Sequence, residues 1–400
     1  MTRSGLLLLS ALACGASPLT AQLPQMLRRL DGSTLSHATA DSIARALVVK
    51  HGVTGMQVAV VNDGRIAWSA AYGLRQKDPD LPMERESITW AASITKAAFG
   101  TWVVQLSERG VIDLDQPVAS MLRQPLSAYE EWADRSRVLV ADPWWARVTP
   151  RMLLSLTSGL GNFAIFEPDT QMHLHHEPGT AFRYSGEGLN VLQLALEERL
   201  GMPLPTLMDE ALFSPLGLAH TAVAYRSEFE PYMADRFGTD GQFLAKTRRN
   251  ARAAGSMTSS AEELARFAIA LMDGRVLGEA AMVEMLRPQI RLRGVHQFPL
   301  PDDPPFSAES ERVGLAYGLG WGLLTRTPFG PAFFKEGSGD GARTYMICFP
   351  RRKDCIVILT NSDNGAWVFR PLMEAVFGNT VTPWEWEGYT ESFLSRGRAP

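Results

Sequence analysis

The segments with strand character in this chain lie toward its two ends, with a long run of helical pattern between them. Met56-Gln57-Val58-Ala59-Val60-Val61 and Arg65-Ile66-Ala67-Trp68 are β-prone runs around Asn62-Asp63-Gly64, the turn chemistry of a hairpin. The next strand-like segments come at 317–325, 332–335, 343–349 and 355–360. Helical periodicity marks 93–106, 191–200 and 261–272 between these groups. A helix over 39–51, capped by Thr39 or Asp41 and stopped by Gly52, precedes the hairpin, and another over 366–377 follows the last strand. The stretch 288–312 is rich in proline and charge and reads as a long surface loop. A sheet assembled from both chain ends, with a helical insertion, accounts for this order. The expected fold class is α+β: an antiparallel β-sheet flanked by helices plus an inserted, mainly helical subdomain. The sheet part is expected from about 38–90 and 313–380 and the helical part from about 91–312, within one domain over 22–400.

With 400 residues, 46% of them hydrophobic, the chain is long enough to build its core without disulfides. A net charge of −4 with no basic block argues against a nucleic-acid partner. The N-terminus reads as an export signal over 1–21: Arg3 is the positive residue, 6–13 the apolar run, and small residues lead to cleavage after Ala21. That run is too short to span a bilayer. The expected location is the periplasm or the medium. Cys14 offers a second reading, a lipidated cysteine, although Ala11-Leu12-Ala13 does not match the usual lipobox. After cleavage only Cys348 and Cys355 remain, both in an expected hairpin around Pro350-Arg351-Arg352-Lys353-Asp354. Two buried thiols and a cross-strand disulfide both fit that placement.

The chemistry centres on Ser93-Ile94-Thr95-Lys96. A serine hydroxyl is a poor nucleophile until a base takes its proton. Residues three apart on a helix stand one above the other, so Lys96 can reach the Ser93 hydroxyl. Free N–H groups at a helix start favour developing negative charge and disfavour a protonated lysine. No charged residue occurs in 88–92 or 97–100, so Lys96 enters an apolar wall, where burial lowers its pKa.

The chain resembles the serine β-lactamase and penicillin-binding superfamily, most closely its class C-like branch of β-lactamases, D-Ala-D-Ala carboxypeptidases and β-lactamase-like esterases. Ser93-Ile94-Thr95-Lys96 and Leu106-Ser107-Glu108-Arg109-Gly110-Val111-Ile112-Asp113-Leu114 match the nucleophile helix and its exit. Leu153-Leu154-Ser155-Leu156-Thr157-Ser158-Gly159-Leu160 resembles the family's Leu-Leu-x-His-Thr-Ser-Gly stretch, with Leu156 in place of histidine. Pro215-Leu216-Gly217-Leu218 and Ala254-Gly255-Ser256-Met257-Thr258-Ser259 also have counterparts, so the likeness spans roughly 40–380. The resemblance implies a β-lactamase/transpeptidase-like fold and a serine hydrolase with no cofactor and no metal. It acts by acyl-enzyme formation at Ser93 on a small ester, amide or β-lactam. Alternatives are a β-lactamase or D-Ala-D-Ala carboxypeptidase, and a catalytically weak binding protein that keeps the fold.

The resemblance also assigns roles. Tyr184 of Tyr184-Ser185-Gly186 matches the family's Tyr-x-Asn and is the expected second base or proton shuttle. Gly186 stands where relatives carry an asparagine that holds the lysine and binds the substrate amide. This departure favours esters or unusual amides, with Glu187 or Asn190 as substitutes for the missing group. Lys335-Glu336-Gly337-Ser338 matches the family's Lys-Thr-Gly strand. Lys335 is expected to attract a substrate carboxylate or tune Tyr184. Gly337 is expected to let substrate lie against the strand, and the N–H groups of Ser93 and Ser338 to form an oxyanion hole. His173, His175 and His176 show no partner at a recognisable metal spacing and read as a loop near the site mouth. Trp144, Trp145 and Phe166 are candidates for an apolar acyl pocket, or for ordinary packing.

Overall fold

The computed structural model describes residues 26–245, 250–299 and 303–395. The export signal and Cys14 lie outside the described residues. The central feature is a nine-stranded antiparallel sheet. Its strands are β1 (Gly55–Asn62), β2 (Arg65–Lys77), β3 (Asp80–Pro82), β4 (Ile290–Arg291), β5 (Leu315–Tyr317), β6 (Gly322–Leu324), β7 (Ala332–Gly339), β8 (Ala342–Phe349) and β9 (Asp354–Thr360). Their spatial order is β4-β5-β6-β7-β8-β9-β1-β2-β3. The two ends of the chain therefore meet in the middle, where Val58 of β1 pairs with Ile358 of β9.

Five longer helices complete the frame: α1 (His37–Lys50), α2 (Ile94–Glu108), α3 (Gly186–Leu200), α4 (Ala261–Met272) and α5 (Ala366–Val376). Alternation along β1 sends Met56, Val58 and Val60 into one apolar cluster with residues of α1 and α5. Ala59 and Val61 enter a second, larger cluster with α2, α3 and α4. The sheet is thus buried on both faces. That explains why β1, β8 and β9 read as nearly unbroken apolar runs rather than alternating ones.

The expected antiparallel sheet with a helical insertion is present, and α4 spans the residues expected of it. Several local expectations are corrected. α1 is capped by Ser36, whose Oγ accepts from the Thr39 N–H at 3.1 Å. Asp41 instead accepts from the Tyr72 hydroxyl at 2.6 Å and from Trp68 Nε1, tying α1 to β2. The segment 317–325 is two short strands rather than one. Gly320 reverses the chain between them with φ 86° and packs so closely on α2 that a Cβ there would lie 2.8 Å from the Lys96 carbonyl. The proline-rich stretch also contributes β4 to the sheet and a helical turn, Ala308–Val313. Cys348 and Cys355 face each other on β8 and β9 and are joined as a disulfide. No helix among the described residues is long and apolar enough to cross a membrane.

Candidate active site

Ser93 sits at the turn from Thr89–Trp90 into α2. Ala92, just before it, takes a left-handed backbone with φ 46°, which costs roughly 1–2 kcal/mol for a residue bearing a Cβ. The turn is held by the Ala92 carbonyl, which accepts from the Thr95 hydroxyl, and by Thr95 Oγ1, which accepts from the Met257 N–H at 2.9 Å. Ser93 is thereby the N-cap of α2, where the first backbone N–H groups lack intrahelical acceptors. It keeps partial exposure in a stretch otherwise buried.

One turn on, the Lys96 amine donates to Ser93 Oγ at 2.9 Å and to the Ala254 carbonyl. Lys96 is 2% exposed. Ala254 is held in turn by Asn190 of α3, whose Oδ1 accepts from its N–H at 3.2 Å. Burial pushes the Lys96 amine below its ordinary value; the Tyr184 oxygen opposes this and the Lys335 charge adds to it.

Tyr184 is fixed by its position beside a helix cap. Ser185 caps α3 by accepting from the Gly188 N–H at 3.0 Å, while its hydroxyl donates to the Gly161 carbonyl. The Tyr184 hydroxyl meets both Ser93 and Lys96. Its ring centre lies 4.9 Å from Lys96 Nζ and 5.2 Å from Lys335 Nζ. Burial alone would raise this phenol, but the ammonium of Lys335 and then that of Lys96 outweigh it, and it lies below its usual range.

Lys335 comes from β7. β6 pairs only with Ala332, Phe333 and Phe334, so from Lys335 onward that edge of β7 has no β6 partner. Lys335 is 0% exposed and forms an ion pair with Glu336. Burial disfavours its charge, but Glu336 first, then Tyr184, hold it well above the ordinary lysine value. Glu336 Oε1 also accepts from Gln297 Nε2 at 2.9 Å. The third and fourth motif residues, Gly337 and Ser338, lie where the strand meets the Ser93 turn. A Cβ on Gly337 would fall 2.2 Å from Thr344 Oγ1, 2.7 Å from the Ala91 carbonyl and 3.0 Å from Ser93 N. The glycine is thus required by the packing of β7 on the Ser93 turn, a tighter constraint than room for substrate. Ser338 follows, partly exposed and opposite Arg343.

Ser93, Lys96, Tyr184, Lys335, Gly337 and Gly186 are therefore brought into one region from three separate parts of the chain. Neither Glu187 nor Asn190 replaces the missing asparagine: Glu187 pairs with Arg135 at 3.2 Å and Asn190 holds Ala254. Phe163 fills that space, its ring tip 2.3 Å from where a Gly186 Cβ would stand. The expected surface loop reaches the site as well, since the Phe298 ring lies 5.1 Å from that of Tyr184. Gln297, Phe298 and Phe163 are contacts that no short motif signals. Two of the histidines have carboxylate partners, though not in a metal-binding arrangement. His173 bonds Asp169 at 2.9 Å and His175 bonds Glu167 at 2.8 Å, as separate pairs. No cluster suited to a metal ion occurs among the described residues. Trp145 is core, Trp144 lies at the surface, and Phe166 packs on Phe163.

A serine hydroxyl against a buried amine, with a phenol and a second cation alongside, can generate an alkoxide-like nucleophile and pass its proton onward. Comparison with known proteins agrees with this chemistry. The family model described as Beta-lactamase matches residues 40–376. A beta-lactamase of Providencia stuartii is 23% identical over 354 residues, covering 82% of this chain and 87% of the relative. Esterase EstB of Burkholderia gladioli is 26% identical over 215 residues, which is 47% of this chain and 52% of the esterase. Among solved structures, the octameric penicillin-binding protein homologue from Pyrococcus abyssi superposes with a TM-score of 0.70 at 18% identity, covering 88% of this chain and 80% of that one, a likeness of fold. The extent of the family match and the hydrolases among the relatives lead to one conclusion: the chain belongs to the beta-lactamase family and is a serine hydrolase.

Proposed function

We propose that this protein hydrolyses esters through an acyl-enzyme on Ser93. The observation that carries the reading is the 2.9 Å contact from Lys96 Nζ to Ser93 Oγ, made by an amine that donates to a hydroxyl and a carbonyl rather than to a carboxylate. Such an amine can be neutral when needed and serve as the base. Lys96 takes the Ser93 proton as Oγ bonds to the substrate carbonyl carbon. The N–H groups of Ser93 and Ser338 receive the oxyanion. The bond from carbon to the leaving oxygen breaks as Tyr184 supplies that oxygen with a proton, and Lys96 returns one to Tyr184. Water then repeats the sequence against the acyl-enzyme, freeing acid and Ser93.

Esters are favoured over β-lactams and D-Ala-D-Ala peptides by Phe163, which occupies the space of an amide-binding side chain at residue 186 with an aromatic ring. The second reading, β-lactamase or D,D-peptidase, draws on the coverage of the Providencia stuartii relative. An expected export signal and the Cys348–Cys355 disulfide both suit an oxidising compartment, the periplasm or the medium. The test is a panel of short-chain aryl esters, nitrocefin and a D-Ala-D-Ala peptide, with fluorophosphonate labelling of wild type and Ser93→Ala. Labelling and ester turnover that vanish in Ser93→Ala support the proposal. Nitrocefin or peptide turnover exceeding that of every ester, or ester turnover surviving in Ser93→Ala, refutes it.

A further inference from the structure

β7 carries a buried cation, yet that cation is already matched inside the protein. Lys335 is 0% exposed and paired with Glu336, the next residue on the same strand. By register the two side chains start on opposite faces of β7. They meet beyond Phe334, the last residue that β6 covers. Glu336 is itself 4% exposed and is held by Gln297 Nε2 at 2.9 Å. The neighbouring cation, Arg343 of β8, is matched by Asp363 at 2.9 Å. A third acid, Glu387, is 0% exposed and accepts from the Tyr345 hydroxyl at 3.1 Å. Burial and then the charge of Glu336 push the Glu387 carboxyl well above its ordinary value. Lys335 therefore already has its counter-ion in Glu336, one positive charge against one negative, before any substrate arrives.

From this closed charge balance we infer that Glu336 is a positioning residue that sets substrate class: acting through Lys335, it makes the site select neutral esters and reject substrates bearing a carboxylate. The inference rests on the reading of Ser93 as nucleophile and adds the substrate's charge to it. A carboxylate brought toward Lys335 would have to displace Glu336, leaving a buried acid without its counter-ion. A neutral ester asks nothing of Lys335, which is left to act on Tyr184, 5.2 Å away.

The experiment uses the full chain and two esters differing by one charge, methyl 4-acetoxybenzoate and 4-acetoxybenzoate. Wild type is expected to favour the methyl ester in kcat/KM. Glu336→Gln combined with Glu387→Gln removes both acids, so that neither can serve as counter-ion. In that variant the ratio is expected to move toward the carboxylate ester by at least about tenfold, the worth of one charge-assisted hydrogen bond. Glu336→Asp keeps the charge and is expected to keep the wild-type preference. A ratio unmoved in the double variant overturns the inference. Should the double variant fail to fold, inhibition of wild type by phenylboronic acid and 3-carboxyphenylboronic acid decides. Equal or weaker binding of the carboxylated compound supports the inference, and tighter binding overturns it. Failure of the Ser93 reading looks different: methyl ester hydrolysis would persist in Ser93→Ala.

Discussion

The Phe163 ring occupies the volume into which a side chain at residue 186 would project, its tip 2.3 Å from a Cβ placed on Gly186. No positive φ is involved at this position, so the obstacle is the ring alone. Restoring the family's asparagine with Gly186→Asn is therefore expected to lower stability by about 1–3 kcal/mol, the range for overpacking. Adding Phe163→Ala should recover much of that loss. Thermal denaturation of the two single variants and the double variant measures it, and simple additivity of the single effects would contradict the steric account.

Lys96→Met should separate stability from activity. The folded state disfavours a proton on this buried amine, whereas the unfolded chain binds it at lysine's ordinary 10.5. Below that value the unfolded chain thus holds more proton, and the native state loses stability as pH falls. A methionine removes the effect. The variant is expected to be inactive toward fluorophosphonate yet more stable than wild type at neutral pH by about 0.5–2 kcal/mol. The gain should shrink as pH rises through the ordinary lysine range, as denaturant unfolding at several pH values would reveal.

Tyr184→Phe should move the pH profile as well as the rate. Through its charge and its hydrogen bond, the Tyr184 oxygen raises the Lys96 amine. Without it, Lys96 loses its proton at lower pH. The rising acid limb of kcat/KM is expected to shift to lower pH while the plateau falls by roughly 10²–10⁴-fold. A drop in rate with the limb unmoved would leave Tyr184 a packing role only.

The disulfide should matter to stability and not to turnover. Cys348 lies opposite Phe333 on β7, whereas Ser338 lies opposite Arg343 toward the other end of β8. The bridge closes a short hairpin, with a sequence separation of 7. Replacing both cysteines by alanine is expected to cost about 2 kcal/mol in reversible unfolding, with kcat/KM unchanged. A matching loss of activity would couple the two ends of the hairpin.

Much of this was legible from residue order. Apolar runs at 56–61, 343–349 and 355–360 placed the central strands because both sheet faces are covered. Ser93 and Lys96 were legible because a single helical turn brings them together. Lys335 is legible as a motif residue and its action on Tyr184 as one of two expected roles, but its pairing with Glu336 is not, because pairing of adjacent strand residues runs against alternation and depends on where β6 stops. Phe163, Gln297 and Phe298 were invisible for the same kind of reason. Each reaches the site from an irregular segment, where no periodicity reports the direction of a side chain. Thr39 and Asp41 read as caps because several polar residues cluster there, whereas Ser36 caps the helix and Asp41 bonds to β2.

The pairing of Val58 with Ile358 also bears on how the protein is made. When β1 leaves the ribosome, its second neighbour has yet to be synthesised. Until Asp354–Thr360 emerges, β1 is an apolar strand with one open side, the kind of surface that pairs with other chains. Assembly of the sheet must therefore wait for Asp354–Thr360 to be made. A chain that cannot complete its centre early keeps an open strand edge for most of the interval between making β1 and making β9.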